Sequence, residues 1–124
     1  VKDSETLEAA YDDAAGVTAA FNRNMLRNLN GLLGANFNLK EWRHVALFNR
    51  ELSRIEMHLE ARCNTTVRWQ GSERSFVSGE RILSECSYKY TLDRAKVLLD
   101  AVGFKSVRCW ADSSAWFGVI LSTT

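Results

Sequence analysis

The sequence predicts an α+β fold, with N-terminal helices, then antiparallel strands, then a helix and a C-terminal β-hairpin. Apolar residues recur at helical spacing in the first third of the chain. Apolar and polar residues alternate through the middle, and two β-rich runs follow a further amphipathic segment near the end. The 124 residues are enough for one domain with a substantial core.

Two helices are expected in the first 35 residues. The first begins at Ser4, with acidic residues near its N-terminal end. The second follows Asp12 and Asp13, either of which is placed to cap it, and Gly31 and Gly34 should end it. Its apolar face is predicted to contain Val17, Phe21, Met25, Leu29 and Leu32.

The middle of the chain is predicted to form strands. Residues 51–62 have helical propensity, but alternation from residue 55 to residue 62 is unbroken and favours a strand. A turn at 49–51 should join that strand to one near 43–48. Residues 65–69 and 74–77 are expected to form two more strands around a turn containing Gly71.

Residues 79–90 are predicted to be extended and carry a candidate binding pair. In a strand, Glu85 and Ser87 lie on one face, about 6.6 Å apart. A carboxylate and a hydroxyl at that spacing can both hydrogen-bond one small polar ring. From the pattern alone, a solvated edge strand carrying Glu and Lys89 is the more common interpretation.

The last third is expected to form a helix and a hairpin. Thr91 is a suitable N-cap, and Gly103 follows the final apolar residue of the helix. Residues 104–110 and 116–121 are β-rich and are separated by a short polar loop. The apolar run at residues 118–121 predicts a strand buried on both faces.

Composition argues against several classes of function. The net charge of +1 is not that of a nucleic-acid-binding surface, and no apolar run approaches the roughly 18–20 residues of a membrane helix. Three cysteines without a Cys-x-x-Cys pair predict reduced, mostly buried thiols in a cytoplasmic protein. The two histidines are not accompanied by the other ligands expected of a metal site. There is also no glycine-rich loop of the kind that binds phosphates or dinucleotides.

Several segments together resemble the C-terminal part of the histidine-specific, S-adenosylmethionine-dependent Nα-methyltransferase family of ergothioneine biosynthesis. They span nearly the whole chain in the family's order, and the first is long and specific. They are AYDDAAGVTAAFNRN at 10–24, RIEM at 54–57, SECSYK at 84–89, AVGF at 101–104, WAD at 110–112 and WFGV at 116–119.

The resemblance implies a division of the chain. Residues 1–90 correspond to most of a substrate-recognition domain, and residues 91–124 to the final helix and hairpin of a Rossmann-type methyltransferase sheet. The family's motif for S-adenosylmethionine lies upstream and is absent here, so the chain is expected to be an inactive fragment of a longer enzyme. An exposed edge of this partial sheet could pair with a second copy, giving a homodimer.

The resemblance also assigns substrate contacts. Glu85 matches the carboxylate that recognises the imidazole of histidine, and Ser87 matches the hydroxyl two residues later. Tyr11 matches the tyrosine that holds the amino-acid head group. Met57 matches a methionine beside the ring, and Thr18 a further polar contact. The residues alone leave Tyr11 as an ordinary half-buried tyrosine and Met57 as a core residue.

Two other functions remain open from the sequence. One is a stand-alone amino-acid-binding or regulatory module without catalysis, and the other is a paralogue that methylates a different amine.

Overall fold

The computed structural model describes residues 2–124 and confirms the predicted α+β class. Its helices are α1 Ser4–Tyr11, α2 Val17–Leu33 and α3 Leu92–Ala101, with a short 3₁₀ helix at Leu39–Glu41. Its strands are β1 Trp42–Asn49, β2 Arg54–Ala61, β3 Thr65–Trp69, β4 Ser72–Phe76, β5 Arg81–Tyr88, β6 Lys105–Ala111 and β7 Gly118–Thr123. The strand interpretation of residues 55–62 is therefore confirmed, apart from the last residue.

The central sheet has the order β1–β2–β5. Strands β1 and β2 are antiparallel, with Trp42 opposite Ala61. Strands β2 and β5 are also antiparallel. The Ala61 amide donates to the Glu80 carbonyl at 2.9 Å, and the Ser84 hydroxyl donates to the Met57 carbonyl at 2.8 Å. Since β5 lies beside β2, residues distant in sequence become neighbours. Strands β3 and β4 form a separate antiparallel pair.

The buried side chains form two clusters. The larger contains a buried Trp42, whose ring makes edge-to-face contacts with Phe37 and Phe76 at centroid distances of 5.7 and 5.0 Å. Its buried members are Leu26, Trp42, Leu59, Ala61, Val67 and Phe76. The smaller contains Leu7, Ile55 and Met57, with Tyr11 and Phe48 packed against it. Helices α1 and α2 thus pack on the apolar face of the sheet, which is formed in part by alternate residues of β2.

The predicted apolar face of α2 is wrong in part. Val17, Phe21 and Leu32 are 68%, 64% and 80% exposed, whereas the buried residues of the helix are Asn22 and Leu26. The face of α2 that packs on the sheet therefore includes the Asn22 side chain. Burial of this amide is tolerated because its hydrogen-bond partners lie on the sheet.

The end of α2 also differs from the prediction at one glycine. Gly31 lies inside the helix, and the helix ends at Gly34, which adopts a left-handed conformation with φ of 62°. Glycine is tolerated in the interior of a helix at a modest entropic cost. At the left-handed cap it is favoured, because it adopts a positive φ without a steric penalty.

The contacts divide the chain into two compact units. One is Ser4–Ser87; the other is Tyr88–Thr124 together with Lys2 and Asp3. In the second, the Thr91 hydroxyl accepts a hydrogen bond from the Arg94 amide at 3.2 Å, which confirms the predicted cap. Strands β6 and β7 form the predicted antiparallel hairpin.

The expectation that β7 is buried on both faces is wrong. Val119 and Leu121 are about half exposed, because β7 has β6 as its single strand neighbour among the described residues. The cysteine prediction is partly wrong as well: all three thiols are free, but Cys63 is exposed and Cys86 and Cys109 are only half-buried.

Candidate functional site

Two predicted site residues meet in the structure. The Tyr11 hydroxyl at the end of α1 lies 2.8 Å from the Ser87 hydroxyl at the end of β5, and the pair is partly buried. Either oxygen can be the donor, since each hydroxyl both donates and accepts. These residues belong to segments 76 positions apart in sequence.

Met57 belongs to the smaller core cluster, against which Tyr11 packs. Met57 itself is buried. The Met57 carbonyl accepts a hydrogen bond from the Ser84 hydroxyl of β5, which fixes the two strands beside one another. Tyr11 therefore connects Ser87 of β5 to the cluster that contains Met57 of β2.

Glu85 occupies a more open position. It lies on β5 two residues before Ser87, is exposed, and borders a groove of about 250 Å³ between β5 and α2. That volume is just below the range of about 300–1,000 Å³ usual for small-molecule pockets. The other residues bordering the groove are Phe21, Asn22, Asn24, Met25, Asn28 and Ser84.

Thr18 is tied to the start of α2. The Asp13 carboxylate accepts hydrogen bonds from the backbone amides of Thr18 and Val17, at 2.8 and 3.0 Å. The Thr18 backbone amide, then its hydroxyl and the Val17 amide, lower the pKa of Asp13 to about 2. Of the two aspartates that the sequence placed to cap α2, Asp13 therefore does so.

Sequence reasoning missed two polar residues that hold Tyr11 in place. The His44 ring contacts the Tyr11 carbonyl through Nε2 at 2.7 Å and the Asn22 amide nitrogen through Nδ1 at 2.9 Å. Asn22 is only 3% exposed. The signal available was an asparagine within an apolar helical stretch, which is unfavourable unless its amide is hydrogen-bonded.

A polar region of the sheet surrounds Glu60 at the other end of β2. Its carboxylate accepts hydrogen bonds from Arg81 at 2.7 Å and from Arg43. The Arg81 hydrogen bond, followed by that of Arg43, lowers the pKa of Glu60 below its ordinary value. Both arginines are thereby paired with Glu60. The cluster joins strands β1, β2 and β5, and its carboxylate is not a free charge.

No helix within residues 2–124 has the length and apolar character needed to cross a membrane.

Comparison with known proteins gives a clear family. The sequence matches, over residues 1–124, the family described as "Histidine-specific methyltransferase, SAM-dependent". The chain belongs to this family. Its relatives include the "Histidine N-alpha-methyltransferase" of Mycolicibacterium smegmatis, 43% identical over 124 residues, and that of Mycobacterium tuberculosis, 40% identical.

A more distant relative is the "Ergothioneine biosynthesis protein 1" of Schizosaccharomyces pombe, 25% identical over 121 residues. The alignments cover 97–98% of this chain, but 39% of the length of each bacterial relative and 16% of the yeast one. The chain thus spans about two fifths of the bacterial proteins that it matches.

The starts of α2 and α3 do not fit S-adenosylmethionine, the cofactor named by the family description. Helix α2 begins directly after Gly16, but the Asp13 carboxylate occupies its N-terminal amides. Helix α3 is capped by Thr91. Neither of these two helix starts offers the glycine-rich strand-to-helix turn of a Rossmann-type site.

Proposed function

We propose that this chain is the substrate-recognition part of an enzyme that methylates the α-amine of histidine with S-adenosylmethionine. The observation that carries the proposal is the 2.8 Å contact between Tyr11 and Ser87. Family membership supports the reaction class, and the names of the bacterial relatives support histidine as the substrate. In this proposal residues 1–90 recognise the substrate and residues 91–124 belong to the methyltransferase domain.

The geometry of the hydroxyl pair suits a small amino acid. The two oxygens lie 2.8 Å apart, so ligand atoms that are each hydrogen-bonded to one of them at about 2.8 Å are up to roughly 8 Å apart. That reach covers an amino-acid head group at one end and an imidazole nitrogen at the other. Tyr11 is assigned the head group and Ser87 the ring.

Glu85 is assigned the imidazole N–H. Its carboxylate borders an open groove and has no hydrogen bond or ion pair within residues 2–124, so it is accessible to a ligand. A hydrogen bond to an ionised acceptor is about twice as strong as a neutral one. Met57 is assigned the apolar wall beside the ring, and Thr18 a further polar contact.

These residues orient the substrate and reject analogues. Holding the neutral amine in line with the methyl donor lowers the entropic part of the barrier. A ligand without ring nitrogens would leave the Glu85 carboxylate without the partner assigned to it, which disfavours apolar amino acids strongly.

Calorimetric titration of histidine into the full-length enzyme tests the proposal, with S-adenosylhomocysteine present. Glu85→Gln keeps the shape of the side chain but loses its charge, so the Kd should rise about 10- to 100-fold, as for loss of a charged hydrogen bond. Glu73→Gln is the matched control, because Glu73 is an exposed carboxylate on β4 paired with Arg68. It should leave the Kd unchanged.

Three results would contradict parts of this proposal. Equal Kd values for the two variants would remove Glu85 from the site. A folded enzyme that ignores histidine but methylates another amine would identify a paralogue. Histidine binding without any methyl transfer would identify an amino-acid-binding module.

A further inference from the structure

A chain of hydrogen bonds connects the interior of α2 to the proposed site. The Asn22 amide nitrogen lies 3.1 Å from the His58 carbonyl of β2 and 2.9 Å from His44 Nδ1 of β1. His44 Nε2 lies 2.7 Å from the Tyr11 carbonyl, and the Tyr11 hydroxyl lies 2.8 Å from Ser87. The bonds therefore join two helices and three strands.

The chemistry of the partners assigns the proton on His44. A carbonyl only accepts, so the atom of Asn22 facing the His58 carbonyl is the NH₂ group, whose two hydrogens serve both contacts. His44 Nδ1 must then accept, and the ring carries its hydrogen on Nε2. That hydrogen is donated to the Tyr11 carbonyl.

The Tyr11 carbonyl accepts this hydrogen bond at the C-terminal end of α1. Tyr11 is the last residue of α1, and the last four carbonyls of a helix have no partner within it. His44 therefore caps the C-terminal end of α1 from the neighbouring strand. The backbone of Tyr11 is fixed by His44, while its ring packs on the cluster that contains Met57.

We infer that His44, oriented by Asn22, is a positioning residue that holds the Tyr11 hydroxyl where the amino-acid substrate binds. This inference rests on the function proposed above, in which Tyr11 contacts the head group. His44 acts on the backbone of Tyr11 and not on the substrate. Its loss should weaken histidine binding through the placement of Tyr11 alone.

Two substitutions in the full-length enzyme separate the two ring nitrogens. Gln carries its amide nitrogen at about the reach of Nε2, so His44→Gln keeps a donor for the Tyr11 carbonyl. Asn carries its amide group only at the reach of Nδ1, so His44→Asn removes the hydrogen bond that His44 makes to that carbonyl. We expect His44→Asn to raise the KM for histidine about fivefold and His44→Gln to restore it to within about twofold. The KM for S-adenosylmethionine should not change.

A double-mutant cycle distinguishes positioning from a general loss of structure. With Tyr11→Phe there is no hydroxyl left to position, so adding His44→Asn should not change the KM for histidine further. If His44→Asn raises the KM equally in both backgrounds, the positioning role is overturned while the proposed function stands. If Tyr11→Phe alone leaves the KM unchanged, the assignment of Tyr11 in the proposed function fails first.

The tautomer can be measured without any destabilising substitution. In ¹⁵N-histidine-labelled enzyme, the signals of His44 are identified by their loss in His44→Gln. They should show a neutral ring protonated at Nε2 and not at Nδ1. A ring protonated at Nδ1 would break the assigned chain of bonds and overturn the inference, even if His44→Asn failed to fold.

Discussion

The hydroxyl oxygens of Tyr11 and Ser87 lie 2.8 Å apart, although 76 positions separate the two residues in the chain. The pair connects the end of α1 to the end of β5. Because the two hydroxyls are hydrogen-bonded to one another, removal of either one abolishes the contact, and the two substitutions should not be additive.

We therefore predict a coupling free energy of about 0.5–1.5 kcal/mol between Tyr11→Phe and Ser87→Ala. Urea unfolding of the two single variants and the double variant, without ligand, measures it. Tyr90→Phe combined with Ser87→Ala is the control, since Tyr90 is half exposed and stacks on Tyr88. Additive effects for Tyr11 and Ser87 would show that their contact contributes nothing to stability.

Acid should destabilise the start of α2 through Asp13. Amide and hydroxyl donors lower the pKa of Asp13 from 3.8 to about 2 in the folded protein. A carboxylate with a lowered folded pKa stabilises the fold above its unfolded pKa, and this contribution is lost as pH falls through the folded value. Thermal unfolding should therefore show a decline in stability between about pH 4 and about pH 2.

Asp13→Ala should remove that part of the acid dependence and lower the melting temperature at neutral pH, because the helix loses its cap. Asp12→Ala, at the exposed neighbouring position, is the control and should change neither. An unchanged pH profile in Asp13→Ala would exclude Asp13 as the source of the acid sensitivity.

Trp42 is the largest fully buried residue of the main cluster, and its indole Nε1 has no hydrogen-bond partner within residues 2–124. Trp42→Ala should lower the free energy of unfolding by about 3–5 kcal/mol, since it removes the ring between Phe37 and Phe76. Trp42→Phe keeps an aromatic ring and removes the unpaired donor, so it should be less destabilising by about 2 kcal/mol or more. Guanidinium unfolding gives both values, and equal losses would show that the indole N–H does have a partner.

Gly118 on β7 lies against the first residue of α3. A Cβ at this position would lie 2.6 Å from Leu92 Cδ2, which is too close unless the leucine moves. Gly118→Ala should therefore destabilise the chain by about 1–3 kcal/mol, as overpacking does. Leu92→Ala in the same chain should relieve the clash, so the double variant should be more stable than the sum of the single effects predicts.

Gly31→Ala is the matched control for that experiment. Gly31 lies in the interior of α2, and a Cβ added there would have open space within 4 Å, so the same substitution should stabilise the helix by about 0.5–1 kcal/mol. Thermal unfolding compares the two, and effects of the same sign would contradict the Leu92 contact.

Local chemistry made the order of elements predictable. Alternation over residues 55–62 indicated β2 despite its helical propensity, and the aspartate pair, Gly34 and Thr91 indicated helix ends. These signals act over a few residues, so they survive without knowledge of the partner surface. The placement of Glu85 two residues before Ser87 in a strand followed from the same short-range pattern.

Burial and convergence could not be read from those patterns. Helical spacing predicted an apolar face on α2, but the sheet buries Asn22, because its amide is satisfied by His44 and the His58 carbonyl. The apolar composition of residues 118–121 likewise predicted that β7 is buried. Burial of a strand depends on its neighbours, and among the described residues β7 has only β6 as a neighbouring strand.

By itself, the sequence determined the family, the helices and strands, and the residues proposed to contact histidine. Only the tertiary structure decided that Tyr11 meets Ser87 and that His44 holds Tyr11 from a neighbouring strand. The physical reason is that propensities and caps depend on adjacent residues, whereas a hydrogen bond between distant segments exists only after the sheet has brought them together.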